Sequence, residues 1–177
     1  MQISEDRASG GFTPPNNVIT SYLRGTPAGK RGLNLGCGGE TIKDWINIDE
    51  GHPHHVDVVW DLCKGLPFIQ NSTFDVIYSE HFLEHIGRKN ALHLMRECLR
   101  VLIPGGTVRI AMPNLDEVLR AYHADDKHPT VNDSFSEEFG GAFHTKGELL
   151  NIAMRAWGHT YLYNLEDGIL LLQSAGF

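Results

Sequence analysis

A glycine-rich turn followed by an aspartate is the first feature of the sequence that could bind a ligand. The stretch LNLGCGG at residues 33–39 indicates a strand that runs into a turn, and Asp49 closes the next strand. Glycines permit a tight turn and close approach of a ligand to the backbone. A dinucleotide fingerprint needs a third glycine, where this chain has Thr41, and an acid about 20 residues later. The arrangement favours a single nucleoside without phosphates, although the glycines alone fit a purely structural turn equally well.

Histidines form the second group of residues that could do chemistry. HFLEH at residues 81–85 matches the inverted zinc-peptidase pattern H-x-x-E-H, and HPHH occupies residues 52–55. No later helix offers an obvious third ligand to His81 and His85, and the run at 52–55 is typical of a solvated loop. We therefore expect no zinc at His81 and His85. In this interpretation Glu84 and His85 orient or cap a helix, while His81 faces a ligand cleft.

The elements that must position these residues indicate one α/β domain. Brief apolar strands are predicted at 32–35, 45–48, 56–60, 74–78 and 107–112. A helix is predicted at 89–102, with Leu92, Met95, Leu99 and Leu102 on one face and Pro104-Gly105-Gly106 stopping it. Asn17 is expected to cap a short helix that ends at Leu23, and Asn164 and Gly176 to bound the last helix. The first two gaps between strands are too short for a full crossover helix.

Composition and charge exclude several classes of protein. The chain has 177 residues, 41% of them hydrophobic, and a net charge of −7 without a cluster of Lys and Arg. Nucleic acids and anionic membranes are therefore disfavoured as partners. No apolar run reaches the ~18–20 residues of a membrane span, and no signal peptide is visible. The three cysteines, Cys37, Cys63 and Cys98, are too few for a disulfide framework, which favours a cytoplasmic setting.

An ordered series of short motifs carries a family resemblance. After the glycine turn come WINID at 45–49, DL at 61–62, GLPF at 65–68, FDVIYSEH at 74–81, LEHI at 83–86, RVLIPGG at 100–106 and MPN at 112–114. The series resembles class I S-adenosylmethionine-dependent methyltransferases of the small-molecule type 11 kind, in a compact bacterial branch. The resemblance is strong over 32–114 and weaker over 158–177. It implies a Rossmann-like, mainly parallel sheet of order 3-2-1-4-5 with a trimmed first half.

The resemblance also implies roles for residues. The glycine turn would cradle the methionyl part and ribose of S-adenosylmethionine, Asp49 would hold the ribose hydroxyls, and Asp61 with Leu62 would contact adenine. Asn34 stands where the family usually has an acid near the cofactor's ammonium group. The implied cofactor-binding residues are Asn34, Gly36, Cys37, Gly38, Asp49, Asp61, Leu62, Ser79, Glu80 and His81.

The acceptor side is implied less fully. Residues 1–31 are expected to form a tail and short helix, and 32–177 the methyltransferase domain, with a lid or substrate insert at 115–163. Candidate substrate residues are Asn114, His144, Trp157, His159 and Tyr163, and His81 and His159 are candidate general bases. The expected activity is methyl transfer to a small molecule. The alternatives are a non-catalytic cofactor-binding module that regulates or scaffolds a partner and, less favoured because of Thr41 and the early Asp49, a nicotinamide-dependent oxidoreductase.

The fifth predicted strand raises a separate expectation. The family usually continues into an antiparallel pair of strands beyond it, whereas this sequence stops after AGF at 175–177. An uncovered strand edge presents unpaired backbone groups. We therefore expect the edge to be covered by the chain's own insert or tail, or by a second copy in a homodimer. The alternative is that the sequence is a truncated form, in which the edge is bare and prone to aggregation.

Overall fold

A five-stranded parallel sheet organises the fold. The computed structural model describes residues 14–51, 55–123 and 145–177. The strand order is β3-β2-β1-β4-β5, and each of the four pairings is parallel. This confirms the predicted fold class and order. The strands are β1 Gly32–Leu35, β2 Ile46–Asp49, β3 Val58–Val59, β4 Phe74–Glu80 and β5 Leu102–Ala111.

Helices flank the sheet or follow its last strand. They are α1 Pro15–Gly25, α2 Arg88–Val101, α3 Leu115–His123, α4 Lys146–Arg155 and α5 Leu165–Ala175, with short 3-10 helices at Leu62–Lys64, Leu83–His85 and Ala156–Gly158. The predicted bounds of α5 are confirmed, because the Asn164 side chain accepts from the Asp167 amide at 2.9 Å and Gly176 ends the helix at φ 109°. No helix in the described ranges is long and apolar enough to cross a membrane.

Helix α1 begins two residues before the predicted cap. It starts at Pro15, with Pro14 as N-cap, so Asn17 is not the cap. Proline suits the first helical position because its φ is already helical and it has no N–H to satisfy. Ile19 is 4% exposed, and the Tyr22 ring stacks on Phe74 at 6.1 Å between centroids. This helix therefore packs in the same core as the sheet.

A buried amide replaces a crossover helix between β1 and β2. Asn47 is 5% exposed, and its Oδ1 accepts from the Ile42 amide at 2.8 Å and from Asn34 Nδ2 at 3.0 Å. Its Nδ2 donates to Asp57 Oδ2 at 2.9 Å and to the carbonyls of Ile42 and Trp45 at 3.1 and 3.2 Å. The expectation that no full helix fits here is confirmed for residues 36–45, and side-chain hydrogen bonds hold the loop instead.

The predicted apolar face of α2 is partly wrong. The buried side chains of this helix are Ala91, Leu94, Met95, Cys98 and Val101. Leu99 is 38% exposed, and Leu102 belongs to β5. The reason is that α2 packs against both the sheet and α5, so Leu99 lies to one side, where a Cβ on Gly176 would stand 3.0 Å from it.

Strand β5 lies at the edge of the sheet. It starts at Leu102, so Pro104-Gly105-Gly106 lies within β5 and does not stop α2 as predicted. The register of β4 with β5 shifts across this stretch, between the pairs Phe74–Leu102 and Val76–Thr107. Among the described residues no strand pairs with its outer edge. Nearby, α5 exposes Leu165, Ile169 and Leu170 at 71%, 47% and 52%.

Candidate functional site

The parallel pairing brings the predicted ligand residues to one edge of the sheet. Strand β1 lies between β2 and β4, and the carboxyl ends of all five strands point the same way. Ligands of open α/β sheets bind at that edge, where the strand order reverses. The glycine turn follows β1, Asp49 ends β2, and Ser79 and Glu80 end β4.

Asp49 and the glycine turn form one hydrogen-bonded unit. The Gly36 amide donates to the Ile48 carbonyl at 2.8 Å, which ties the turn to β2. The Gly38 amide donates to Asp49 Oδ2 at 2.9 Å, and the Gly51 amide donates to Oδ1 at 2.7 Å. Each carboxylate oxygen thus has one backbone donor and retains capacity for another. Asp49 is half-buried, so its carboxylate remains partly accessible.

Gly36 is required by both conformation and space. Its φ is +64°, and a Cβ there would lie 2.2 Å from the Phe82 ring. Phe82, which follows β4, therefore packs on the turn. Its role is not visible in the sequence, because an apolar residue after a strand carries no chemical signal. Burial, and then the charge of Asp49, raise the pKa of Cys37 to about 11. A thiol held neutral is a poor nucleophile.

Asn34 is committed to the protein's own loop. It is 2% exposed, and its Nδ2 donates to the Glu40 carbonyl and to Asn47 Oδ1, both at 3.0 Å. The structure therefore gives Asn34 the role of joining β1 to the loop before β2. Asn47 and Asp57, the partners in this network, carry no signal in the sequence, because the role of a polar residue in or beside a buried strand can be identified only once its neighbours are known.

The remaining cofactor candidates divide into engaged and unpaired groups. Asp61 accepts from the Cys63 amide at 2.9 Å and pairs with Lys64 at 3.4 Å, so it caps the 3-10 helix, whose Leu62 side chain is buried. Glu80 is exposed and accepts from the Tyr78 hydroxyl at 2.7 Å. Ser79 is 1% exposed, and its hydroxyl has no hydrogen-bond partner.

His81 stands against a buried carboxylate. Its backbone has a positive φ of 49°, its side chain is 66% exposed, and its Nδ1 lies 3.2 Å from Glu84 Oε1. Glu84 is fully buried, and its Oε2 has no hydrogen-bond partner. If His81 donates its Nδ1–H to Glu84, its Nε2 is left without a proton and could accept one.

The predicted substrate residues form two groups. His159 contacts the His85 ring at 5.0 Å and the Trp157 ring at 5.5 Å between centroids. Asn114 caps α3 and bridges in parallel to Tyr163. Tyr163 is 1% exposed, which places its side chain in the core rather than in an open pocket. His144, and the central part of the predicted insert, lie outside the described residues.

Comparison with known proteins agrees with this architecture. Residues 47–110 match the sequence model of the family described as "Methyltransferase domain". No curated protein matches the chain. A solved SAM-dependent methyltransferase from Archaeoglobus fulgidus superposes with a TM-score of 0.56 at 18% identity, covering 92% of this chain and 67% of that one.

Two further solved structures share the fold. An S-adenosylmethionine-dependent methyltransferase from Mesorhizobium loti gives a TM-score of 0.53 at 16% identity, over 90% of this chain and 80% of that one. A complex between the Haloferax volcanii Trm112 methyltransferase activator and a putative methyltransferase gives a TM-score of 0.51 at 16% identity, over 90% of this chain and 66% of the matched chain. The chain thus spans just under two thirds of the matched Haloferax chain.

The described strands form an α/β sheet of the Rossmann-like type. Residues 47–110 are similar to the methyltransferase-domain family, and the chain shares its fold with solved S-adenosylmethionine-dependent methyltransferases.

Proposed function

We propose that the chain transfers a methyl group from S-adenosylmethionine to a small-molecule acceptor at the carboxyl edge of its sheet. The observation that carries this proposal is the Asp49 carboxylate, fixed by the Gly38 and Gly51 amides beside the glycine turn. A carboxylate held in this way can accept from two vicinal hydroxyls. The residues present therefore fit the ribose of this cofactor.

Other residues at the edge complete the proposed cofactor site. Asp61 and the Leu62 amide would contact the adenine, with Asp61 already oriented by its cap to Cys63. The buried, unpartnered Ser79 hydroxyl is available to a polar group of the cofactor. Asn34 would act indirectly, because its amide nitrogen holds the loop around the turn.

The protein's contribution to the reaction is orientation and a base. When bound, S-adenosylmethionine supplies an already activated sulfonium methyl group. The chain has to align the acceptor and exclude water. We assign the general base to His81, since it lies at the ligand edge and Glu84 holds its Nδ1, which leaves Nε2 to take the proton of a hydroxyl acceptor. His159 is the weaker candidate because it does not follow a strand at the ligand edge and its ring packs on His85 and Trp157.

The acceptor side draws on residues beyond β5. Asn114 and Trp157 are the described candidates, and His144 belongs to the part of the insert that is not described. The net charge of −7 favours a small acceptor over nucleic acid, and the three free cysteines fit a cytoplasmic setting.

The test is turnover of S-adenosylmethionine by the full chain with a panel of hydroxyl, amine and thiol acceptors, measured as S-adenosylhomocysteine formed. The proposal expects one acceptor class to be methylated. Replacing His81 with glutamine should lower kcat for a hydroxyl acceptor by about 100-fold, with little change in cofactor affinity. Cofactor binding without turnover on any acceptor would instead favour the non-catalytic regulatory module.

A further inference from the structure

Beyond the cofactor edge, a second cluster of ligand-type side chains lies behind His81. Glu84 and His85 come from the 3-10 helix after β4, and His159 comes from the segment before α5. One potential ligand atom from each of these residues lies within 4.8 Å of the others. The sequence around His81 and His85 offers no third ligand. The fold brings one, His159, from much further along the chain.

The carboxylate of this cluster is buried, and only one of its two oxygens has a partner. Glu84 is 0% exposed, and its Oε1 contacts His81 Nδ1 at 3.2 Å. Its Oε2 has no hydrogen-bond partner in the structure. A buried carboxylate oxygen is costly unless it is paired with a cation or coordinates a metal. Among the described residues the second oxygen has no partner and is therefore free to bind a cation.

The imidazole of His159 is arranged as a metal ligand requires. Its Nδ1 lies 2.8 Å from the Ala153 carbonyl, which can only accept, so Nδ1 carries the proton. The lone pair is therefore on Nε2. Ligating histidines are typically fixed in this way, with the second ring nitrogen donating to a carbonyl or carboxylate. The tautomer needed for coordination is set before any metal binds.

The backbone holds the two contributing segments together. The Thr160 amide donates to the Glu84 carbonyl at 2.7 Å, and the Tyr161 amide donates to the same oxygen at 3.2 Å. Trp157 and Gly158 both have positive φ, 53° and 82°, which turns the chain so that His159 contacts His85. These bonds and turns preorganise the cluster, so that binding requires adjustment of side chains only.

We infer that Glu84, His85 and His159 form a binding site for a divalent transition-metal ion of the Zn²⁺ type. Two imidazoles and one carboxylate are a ligand set that zinc uses with an open fourth position. Ligand atoms around tetrahedral zinc lie about 3.3 Å apart, so the three side chains would close by about 1.5 Å at most. Such an ion would link the segment after β4 to the segment before α5. Glu84 Oε1 would stay with His81 while Oε2 binds the metal.

The test titrates Zn²⁺ into the full chain after removal of metal with a chelator, followed by calorimetry. We expect one equivalent to bind and the melting temperature to rise with zinc. His85→Ala and His159→Ala should each weaken binding by about 100-fold. Glu84→Gln, which keeps the shape of the side chain, should weaken it as well. His93→Ala, an exposed histidine on α2, is the matched control and should leave binding unchanged. Circular dichroism verifies that each variant is folded.

Two results would overturn the site. The first is that the wild-type chain binds no zinc. The second is that zinc binding survives both His85→Ala and His159→Ala but is lost in His55→Ala, which would place the ion on the histidine run at 52–55. Because the readout is metal binding and melting temperature, the test is independent of methyl transfer. An inactive protein that binds zinc would contradict the proposed function alone.

Discussion

Replacement of Asp49 with alanine removes the side chain on which the proposed cofactor site depends. In the folded chain its two oxygens accept from Gly38 and Gly51 at 2.9 and 2.7 Å. A carboxylate has about four lone-pair positions, so about two remain for ribose hydroxyls. The substitution removes both acceptors and also frees the Gly38 amide, which lies in the glycine turn. Affinity for the cofactor should therefore fall, while the sheet remains intact.

The expected loss follows from the charge of the acceptor. A hydrogen bond to a charged group contributes about 1.5–3 kcal/mol. Because Asp49 is only half-buried, this range applies and not a larger value for a fully buried charge. At about 1.4 kcal/mol for each factor of ten, the dissociation constant should rise about 10- to 150-fold. Asp49→Asn retains one carbonyl acceptor and should fall between the wild type and Asp49→Ala.

Calorimetry with S-adenosylhomocysteine measures the dissociation constant of each variant directly. Glu50→Ala is the matched control, because Glu50 follows Asp49 in the sequence and its carboxylate is exposed. Thermal melting separates loss of binding from loss of folding. Equal affinity in the wild type and Asp49→Ala would refute the assignment of Asp49 to the ribose. Absence of binding to the wild type would refute the cofactor site as a whole.

Three further predictions concern stability, thiol reactivity and the sheet edge. Arg100 donates to both Glu97 oxygens and to the carbonyls of loop residues 66 and 69, so Arg100→Ala should lower the free energy of unfolding by about 2–3 kcal/mol in urea melts. The same pairing lowers the pKa of Glu97, so its contribution to the free energy of unfolding is present above pH 4.5 and is lost as the pH falls through the lowered pKa. If stability falls with acid pH in the same way in Arg100→Ala as in the wild type, this assignment is wrong. Burial raises the pKa of Cys98 to about 12 and of Cys37 to about 11, so both thiols should resist alkylation at pH 7 unless the chain unfolds, which mass spectrometry can follow. The outer edge of β5 should exchange its amide hydrogens slowly because it is covered; fast exchange in a strictly monomeric sample, established by light scattering, would show that it needs no cover.

The strands and the main ligand turn could be predicted because they depend on local pattern, whereas the strand order came from the family resemblance. Short apolar runs and glycines fixed β1 and the turn without any long-range information, and the family motifs placed Asp49 at the end of β2. The cap of α5 at Asn164 was predictable for the same reason, since a side chain that bonds three residues ahead is a local signal.

The parts that could not be predicted depend on tertiary neighbours. Leu99 fits a helical apolar face, but the position of α5 leaves it exposed. The hydrogen bond between Asn34 and Asn47 could be identified only after β1 and β2 were paired. The meeting of Glu84 with His159 is set by the backbone bond from Thr160, which no spacing in the sequence reveals.

The amide hub at Asn47 affects how the ligand turn can move. A crossover helix could form or fray on its own, whereas the loop at 36–45 is held by the hydrogen bonds of one side chain that itself belongs to β2. The turn therefore cannot open fully without disturbing a central strand. Local opening of the proposed cofactor site is therefore coupled to disturbance of the sheet. A substitution at Asn47 alters the loop and the core together, whereas the described residues beyond β5 make no hydrogen bond to this side chain.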